Sequence, residues 1–567
     1  MENREKVPSV LVVGGGIAGL QSSLDLAEMG INVYLLEEIP FLGGAASYLD
    51  KVYPDNRSAR DIILSLISSA REHPNISIIS NAQLEELEKK GAAFQAVINK
   101  APFRVTENCN LCGTCLQVCP VKSYNRFNEG LSLRTAIDLE NRSTYPAICS
   151  IEKEIPACQI ACPVHVDIRR YVGLIADGKF DEALAVIRQG NPLPAICGRI
   201  CTHPCETACN RALVDEPIAI DALKGFAAEY ELKLRKEGKI SLPEPVKKNG
   251  LSKVAVIGCG PAGLTCSSDL ANLGYEVTIF EKESVPGGML WLGIPEFRLP
   301  RELIMADIDY IKALGVEIKL NTPIMSDLTL DDLFQQGYKA IFIAIGAYKG
   351  KKLGAPGEDE YEGFIDSIEF LKRVNLGDKS KPGSKVIVIG GGNSAIDASR
   401  VSLRLGCEEV YILYRRSRKE MPANESEIEE AEYEGVKIHY LAAPIRILGK
   451  DGKVSGMECT RMELGKLDAS GRRRPIPIKG SEFTIECDII IPAISQEPDL
   501  SFFPEKHDLE ISKWNSFVVD EKTLATNRLG IFAGGDAVTG PATVIEAISA
   551  GHRAACSIDN YVKNLSK

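Results

Sequence analysis

Nowhere in the 567 residues does an apolar run reach the length that crosses a bilayer. The first ten residues, MENREKVPSV, lack the apolar core of a secretory signal. These two absences predict a cytoplasmic protein with no membrane contact. A cationic surplus is missing too: 66 Lys and Arg face 77 Asp and Glu, a net charge of −11. Phosphate-backbone affinity needs clustered Lys and Arg, so nucleic acid is excluded as a partner. No C-x2-C pair follows Cys209, which removes the redox pair a flavin-linked disulfide reductase needs. Between Cys149 and Cys209 no two cysteines have the C-x2-C spacing of a zinc finger.

Cysteine itself is abundant, at 17 residues, and 11 of them fall between Cys109 and Cys209. Disulfides are disfavoured in a reducing cytosol, so such density reads as metal ligation. The stretch 108-NCNLCGTCLQVCPV-121 places Cys109, Cys112, Cys115 and Cys119 in the C-x2-C-x2-C-x3-C-P run of bacterial ferredoxins. It predicts an iron–sulfur cluster. Seven more cysteines follow: Cys149, Cys158, Cys162, Cys197, Cys201, Cys205 and Cys209. Two four-iron clusters would need eight ligands, so the set is one short. A non-cysteine ligand completes a site, a cysteine of the earlier run reaches over, or one site is empty. Between Cys162 and Cys197, Asp167 to Gly190 has helical periodicity. The remaining six cysteines (Cys259, Cys266, Cys407, Cys459, Cys487, Cys556) are scattered and read as small apolar residues.

Two further stretches repeat one another: 10-VLVVGGGIAGLQSSLDLAEMGINVYLLEE-38 and 254-VAVIGCGPAGLTCSSDLANLGYEVTIFEK-282. Each reads as apolar strand, glycine turn, helix and second strand ending in an acid, Glu37 or Glu281. That is the dinucleotide fingerprint in its βαβ context. Gly14 and Gly258 permit the tight turn. Gly16 and Gly260 let the backbone approach a pyrophosphate. Gly19 and Gly263 let helix and strand pack closely. The helix N-terminus offers amide hydrogens to phosphates, and the acid accepts hydrogen bonds from a ribose diol. A third loop, 386-VIVIGGGNSAIDASRVSLRLGCEEVYILYRRS-417, carries Gly390, Gly392 and Ala395 at the glycine positions, but its second strand ends in Arg415 and Arg416. A guanidinium clasps a phosphate where an acid would repel it, so this loop predicts NADPH rather than NADH. Near the end, 530-GIFAGGDAVTGPATVIEAISAGHRAA-555 reads as a strand stopping at Gly535 and Asp536 and a helix beginning near Ala542. Asp536 suits a flavin's ribityl hydroxyls, and the helix N-terminus suits the electron-rich edge of its ring. The second-loop domain is then discontinuous, with the NADPH domain inserted between its halves. The segment 418-RKEMPANESEIEEAEYEGV is expected to be an acidic helix, solvated on one face.

From about Cys149 onward the chain resembles the small subunit of glutamate synthase and its relatives. Those relatives include the N-terminal half of dihydropyrimidine dehydrogenase and the NADPH-binding flavoprotein of electron-bifurcating transhydrogenases. The stretches that carry the likeness are ACQIACPVHVDI, ICGRICTHPCETAC, VIGCGPAGL, GGMLWLGIPEFRLP, VIGGGNSAIDASR, YRRSRKEMPA and FAGGDAVTGPATVIEAI. Residues 1 to about 148 resemble a fragment of the FAD-bearing subunit of heterodisulfide reductase, through VLVVGGGIAGLQSSLDLAEMG, FLGGAASYLDKVYP and the ferredoxin run. That family expects further cysteines around Asn56 to Asp61, where this chain has Asn56, Ser58 and Arg60. Only one GD turn is available to close two FAD domains, and the second loop claims it.

The resemblance implies an α/β fold: thioredoxin-reductase-like paired FAD and NAD(P) Rossmann-type domains, preceded by an α-helical iron–sulfur domain, a ferredoxin-like segment and a partial N-terminal Rossmann unit. Connectors at 100-KAPF, 143-STYPA, 241-SLPEPVKKNGLS and 378-DKSKPGS suggest the boundaries 1–100, 101–148, 149–248, 249–380, 381–488 and 489–567. FAD is expected on Gly258, Gly260, Pro261, Ala262, Gly263, Glu281, Lys282, Gly288, Met289, Gly535, Asp536, Ala542, Thr543 and Val544. NADP(H) is expected on Gly390, Gly392, Asn393, Ser394, Ala395, Arg415 and Arg416, and a nucleotide on Gly14, Gly16, Gly19 and Glu37. Two or three [4Fe–4S] clusters are expected on the eleven cysteines. In the family a non-cysteine ligand lies close to the position of Lys224, and a protonated lysine has no lone pair to offer. Asp221 or another cysteine is the substitute the sequence provides. The expected role is an NAD(P)H-dependent oxidoreductase subunit passing electrons between NADP(H), FAD and clusters, in an electron-bifurcating or ferredoxin-linked transhydrogenase complex with NADH- and ferredoxin-handling partners. The alternatives are a non-catalytic, cluster-bearing scaffold and a glutamate synthase small subunit. No catalytic side chain is assigned, since hydride and electron transfer belong to the cofactors.

Overall fold

The computed structural model describes residues 9–39, 41–54, 56–91, 93–100, 112–119, 122–124, 131–138, 150–151, 155–246, 252–324, 328–468, 471–501 and 508–565. Cys109, Cys149, the connector at 143–147 and all but the first residue of that at 100–103 lie outside them. The chain divides into two units, residues 1–155 and 156–567.

In the first unit, β1 (Ser9–Val13), α1 (Ile17–Glu28), β2 (Asn32–Glu37), α2 (Ala59–Glu72) and β3 (Ile76–Ser80) build a three-stranded parallel sheet of order β1-β2-β3. Leu20, Leu24, Val33, Leu35, Ile63 and Ile67 form its core. Ser58 caps α2, accepting from the Asp61 N–H. A hairpin, β4 (Ala82–Lys90) with β5 (Ala93–Lys100), follows. Cys112, Cys115 and Cys119 lie on or beside a short helix, α3 (Thr114–Val118).

The second unit opens with helices. The periodic stretch 167–190 becomes two of them, α5 (Ile168–Ala176) and α6 (Phe180–Arg188), broken at Gly178, whose φ is +74°. Before them lies α4 (Ala157–Ala161); after them come α7 (Pro194–Ile200), α8 (Pro204–Thr207) and α9 (Ile220–Lys236). A Cβ on Gly198 would lie 2.3 Å from the Gly225 Cα, so α7 and α9 touch backbone to backbone. That contact is what brings the cysteines of α7 against the buried face of α9.

A five-stranded parallel sheet comes next, built from β6 (Lys253–Ile257), β7 (Glu276–Phe280), β8 (Glu317–Lys319), β9 (Tyr338–Ile343) and β10 (Ile531–Ala533) in the order β8-β7-β6-β9-β10. Val254, Ala255, Val256 and Ile257 are all buried, as a central parallel strand covered on both faces requires. Helix α10 (Pro261–Asn272) packs on the last helix, α11 (Val544–Leu565), where a Cβ on Gly551 would lie 2.6 Å from the Ala262 carbonyl oxygen. The final strand thus pairs with β9 across almost two hundred intervening residues. Those residues hold a second parallel sheet: β11 (Lys385–Ile389), β12 (Glu409–Tyr414), β13 (Lys437–Tyr440) and β14 (Ile489–Pro492), ordered β13-β12-β11-β14. Its helices include α12 (Ser367–Asn375), α13 (Asn393–Arg404) and α14 (Glu425–Glu434).

The acidic helix is shorter than expected but has the expected solvated face, with Ser426, Glu429, Glu430, Glu432 and Tyr433 exposed. It begins at Glu425, after a single turn at 418–420, and its acids gather arginines. Arg418 pairs with Glu425 and Glu432, and Arg400 with Glu430 and Glu434. Arg400 comes from α13, a partner that charge pattern alone does not show.

Candidate functional site

The second glycine loop is held open by backbone geometry. Gly258 has φ +104°, and a Cβ there would lie 2.4 Å from the Ala344 carbonyl oxygen. A Cβ on Gly263 would meet the Gly258 oxygen at 2.1 Å, which fixes the close packing of α10 on the turn. Gly260 is the N-cap, and a Cβ there meets nothing within 4 Å. The backbone therefore faces open space where a pyrophosphate is expected. Glu281, buried at the end of β7, accepts the Cys259 N–H on Oε2 (2.8 Å) and the Glu283 N–H on Oε1 (2.9 Å). Desolvation pushes its carboxyl above the usual range, against those two backbone bonds.

One cavity of about 350 Å³ runs from this loop. It is lined by Gly258, Gly260, Pro261, Ala262, Glu281, Lys282, Gly288 and Met289 on one side, and by Gly535, Asp536, Ala542, Thr543 and Val544 on the other. These are expected residues, and the structure brings them together. Asp536 is mostly buried, and burial pushes its carboxyl up to about 6 while the Ala542 N–H pulls it down. Helix α11 starts at Val544 through a reciprocal cap: the Thr543 N–H donates to Glu546 Oε2 (2.9 Å), and the Glu546 N–H to Thr543 Oγ1 (3.4 Å). T-V-I-E in the sequence is the signal for that cap.

Side chains outside the expected FAD set complete the cavity. Ile200 and Thr202, on either side of Cys201, line it, so the cysteine-bearing helices reach the flavin-type pocket. Asn393 and Ser394, at the start of α13, line it too, together with Asp397 and Arg298. Arg298 carries the link between the two sheets. Its guanidinium pairs with Asp397 at 2.6 Å and with Glu427. Beside it, Phe297 lies under Arg404 (3.9 Å) and Arg400 (4.7 Å), and Asn375 Nδ2 donates to the Leu292 oxygen (2.8 Å). Gly390 has φ +146°, and a Cβ there would meet the Ala493 oxygen at 2.2 Å.

The two arginines after β12 part company. Arg415 is exposed. Arg416 is turned inward: Nε donates to the Arg473 oxygen (2.8 Å), and NH2 pairs with Asp468 at 2.7 Å. In the bend after β12 one guanidinium is thus left at the surface and the other is taken up by the protein itself.

Among the cysteines, Cys162, Cys197, Cys201, Cys205 and Cys209 are buried and Cys158 is partly so. Cys158 is influenced by Cys209, whereas Cys201 and Cys205 are influenced by Cys162, and Cys197 by Cys201. Burial pushes the Cys205 thiol up to about 12 against the pull of Lys224. Among the described residues no three Cys, His, Asp or Glu side chains close to single-ion coordination. A cubane's thiolates sit at its corners, farther apart than the ligands of one ion. Paired sulfur groups without carboxylate or imidazole donors fit iron–sulfur ligation. Lys224, at the expected position of a fourth ligand, lies on α9 with its ammonium 2.6 Å from Asp221. Desolvation would lower its pKa, but Cys197, Asp221 and Cys201 outweigh that and hold it raised. Asp221, the substitute ligand the sequence offered, is thus engaged by the lysine.

The helices are fastened to the five-stranded sheet by buried polar contacts. The Ile196 N–H donates to Asp307 Oδ2 (3.0 Å), and His552 bridges Asp269 (2.5 Å) and the Gly190 oxygen (3.0 Å).

Residues 252–551 match the pyridine nucleotide-disulphide oxidoreductase family, 122–236 the dihydropyrimidine dehydrogenase domain II 4Fe-4S cluster family, and 9–102 the FAD dependent oxidoreductase family. The chain is 47% identical over 426 residues to the beta subunit of an NADP(+)-dependent formate dehydrogenase of Moorella thermoacetica, covering 72% of this chain and 60% of that one. It is 44% identical over 438 residues to the beta subunit of an NADPH-Fe(3+) oxidoreductase of Geobacter sulfurreducens, covering 73% and 64%. It is 35% identical over 423 residues to the glutamate synthase [NADPH] small chain of Azospirillum brasilense, covering 72% and 87%. The match thus spans about three fifths of the length of the first two relatives.

Proposed function

The chain belongs to the pyridine nucleotide-disulphide oxidoreductases, in the branch of NADPH-dependent flavin and iron–sulfur proteins like the glutamate synthase small chain, and from that premise we propose that it passes electrons between NADP(H), FAD and [4Fe–4S] clusters as one subunit of a redox complex. The observation that carries this is the shared cavity. The FAD-type glycine loop, the first turn of α13 and the two neighbours of Cys201 all line one space. When bound, FAD exchanges hydride with a nicotinamide and passes electrons singly to clusters, a capacity of the cofactor itself. The protein's part is placement. Gly260 leaves room for the pyrophosphate, Glu281 takes the ribose, and Asp536 with the N-terminus of α11 takes the flavin side. Gly390, Gly392, Asn393 and Ser394 receive NADP(H), with Arg415 on its 2′-phosphate and Arg416 holding the strand end. Cys158 and Cys209 serve one cluster. Cys162, Cys197, Cys201 and Cys205 serve the other, and the run from Cys109 to Cys119 holds a third.

The finer reading is the NADP(H) subunit of an electron-bifurcating or ferredoxin-linked transhydrogenase, with partners that handle NADH and ferredoxin. A dedicated glutamate synthase small chain is the second reading, and the ferredoxin run ahead of residue 122 weighs against it, because it is an extra cluster site in an N-terminal extension. Anaerobically purified chain should reduce a viologen dye with NADPH and contain flavin, iron and acid-labile sulfide. Material with flavin and clusters but no NADPH-driven dye reduction would refute the relay and favour a scaffold. A co-purifying glutamine-cleaving partner would favour the second reading.

A further inference from the structure

The first unit repeats the phosphate-and-ribose half of the second unit's cavity almost contact for contact. Gly14 and Gly258 have φ of +106° and +104°. The Gly15 N–H donates to Glu37 Oε2 at 2.6 Å, as Cys259 does to Glu281 at 2.8 Å. The Ile39 N–H donates to Glu37 Oε1 at 3.0 Å, as Glu283 does to Glu281 at 2.9 Å. The Gly43 N–H donates to the Gly15 oxygen (2.8 Å), as Gly287 does to that of Cys259 (3.0 Å). Gly43 and Gly44 have φ of +119° and +55°; Gly287 and Gly288 have +105° and +57°. A Cβ on Gly44 would lie 3.0 Å from the Gly16 Cα, and one on Gly288 3.2 Å from the Gly260 Cα. Turn, acid and second glycine pair are thus all preserved.

The other half has no counterpart among the described residues. In the second unit, β9 and β10 lie beyond β6, and Gly535, Asp536 and the start of α11 close the flavin end. In the first unit β1 pairs only with β2 among the described residues, and Val13, where β9 would lie alongside, is 62% exposed. The rim also changes. Lys282 in the second unit corresponds to Glu38 in the first, which accepts from Gln83 Nε2 (2.7 Å).

We propose that residues 9–80 form a half-site that binds the adenosine 5′-diphosphate moiety, through a free ribose diol and a pyrophosphate, and does not hold a flavin. Gly16, Gly19 and the N-terminus of α1 take the phosphates, and Glu37 takes the diol. With Glu37 and Glu38 together at the ribose end, a 2′-phosphate is repelled. The site therefore reads adenine nucleotides that differ from the NADP(H) used at α13. This inference stands apart from the electron relay, since it uses no residue of the shared cavity.

The experiment is calorimetric titration of the FAD-loaded full chain, with saturating NADP(+) present to occupy the third loop, using ADP, 2′-phospho-ADP and FAD as separate titrants. One ADP should bind per chain, 2′-phospho-ADP at least about tenfold more weakly, and extracted flavin should stay at one per chain. Gly16 has φ −75°, compatible with any residue, so Gly16→Ala should fold, fill the phosphate cradle and lose ADP with flavin content unchanged. Two flavins per chain, uptake of FAD during titration, or ADP binding that survives Gly16→Ala would each overturn the half-site. An ADP site in protein that fails to reduce viologen would leave this inference standing and remove the relay.

Discussion

Replacing Arg298 with Met tests what holds the NADP(H) domain over the flavin cavity. The guanidinium is about nine-tenths buried and pairs with Asp397 and Glu427, whose side chains are 5% and 13% exposed. Asp397 lies on α13 and Glu427 on α14, whereas Arg298 lies between β7 and β8, within the part of the chain that builds the first sheet. Burial already pushes Asp397 up to about 7, against the downward pull of Arg298. Removing the cation leaves two buried carboxylates facing one another, a situation that costs about 3–5 kcal/mol. Part of that loss should appear as domain loosening and part as proton uptake. The sign follows from linkage. Asp397 binds its proton more tightly folded than unfolded, so stability is fullest below the unfolded carboxylate value and falls as pH rises toward 7. Without Arg298 the folded value rises further, so the deficit of the variant should grow with pH. Stopped-flow bleaching of the flavin by NADPH should slow markedly, while chemical denaturation followed by flavin fluorescence should show the stability loss. The triple variant Arg298→Met, Asp397→Asn, Glu427→Gln should recover stability to within about 1–2 kcal/mol of wild type. A single Arg298→Met variant with wild-type stability at alkaline pH and an unchanged bleaching rate would falsify the account of this link.

Arg415→Ala should weaken NADPH roughly ten- to a hundredfold, the loss of charge-assisted bonds to phosphate, and leave NADH unchanged; Arg416→Ala should instead lower thermal stability with little nucleotide preference lost, and equal effects on both nucleotides from both variants would remove the assignment. Gly260→Ala should fold but carry little flavin, because its Cβ enters only open space, whereas Gly263→Ala should be destabilised by the 2.1 Å approach to the Gly258 oxygen; flavin content and melting curves separate the two, and full flavin in Gly260→Ala contradicts the cradle. His552 is held above its ordinary pKa by Asp269 and the Gly190 oxygen, which together outweigh desolvation. Its stabilising effect should be complete below the unfolded value near 6.5 and fade as pH rises through the raised folded one; His552→Phe should flatten that part of the pH–stability curve, and an unaltered curve would show that the contact is immaterial.

Much of the site was legible because its signals are local. A glycine that must adopt positive φ, an acid at a fixed offset after it and a cysteine ladder are covalent spacings, and spacing survives whatever the rest of the chain does. The same locality explains the gaps. Nothing near Arg298 in sequence announces Asp397 or Glu427, which lie about a hundred residues on. Arg415 and Arg416 looked equivalent until the bend after β12 left one in solvent and turned the other to Asp468. Ile200 and Thr202 carry no local signal, and only the tertiary structure sets them at the cavity.

By itself, then, the sequence determined the chemistry that each segment can perform: which turns can cradle phosphate, which acids can take a ribose and which sulfurs can bind iron. Tertiary structure alone decided which of those segments share a space. It placed Ile200 and Thr202, the flavin loop and α13 around one cavity and left β1 of the first unit with a neighbour on one side only among the described residues. The physical reason is that ligand chemistry is set by atoms a few bonds apart, whereas convergence depends on packing contacts between residues hundreds of positions apart, and those contacts are specified jointly by the whole core.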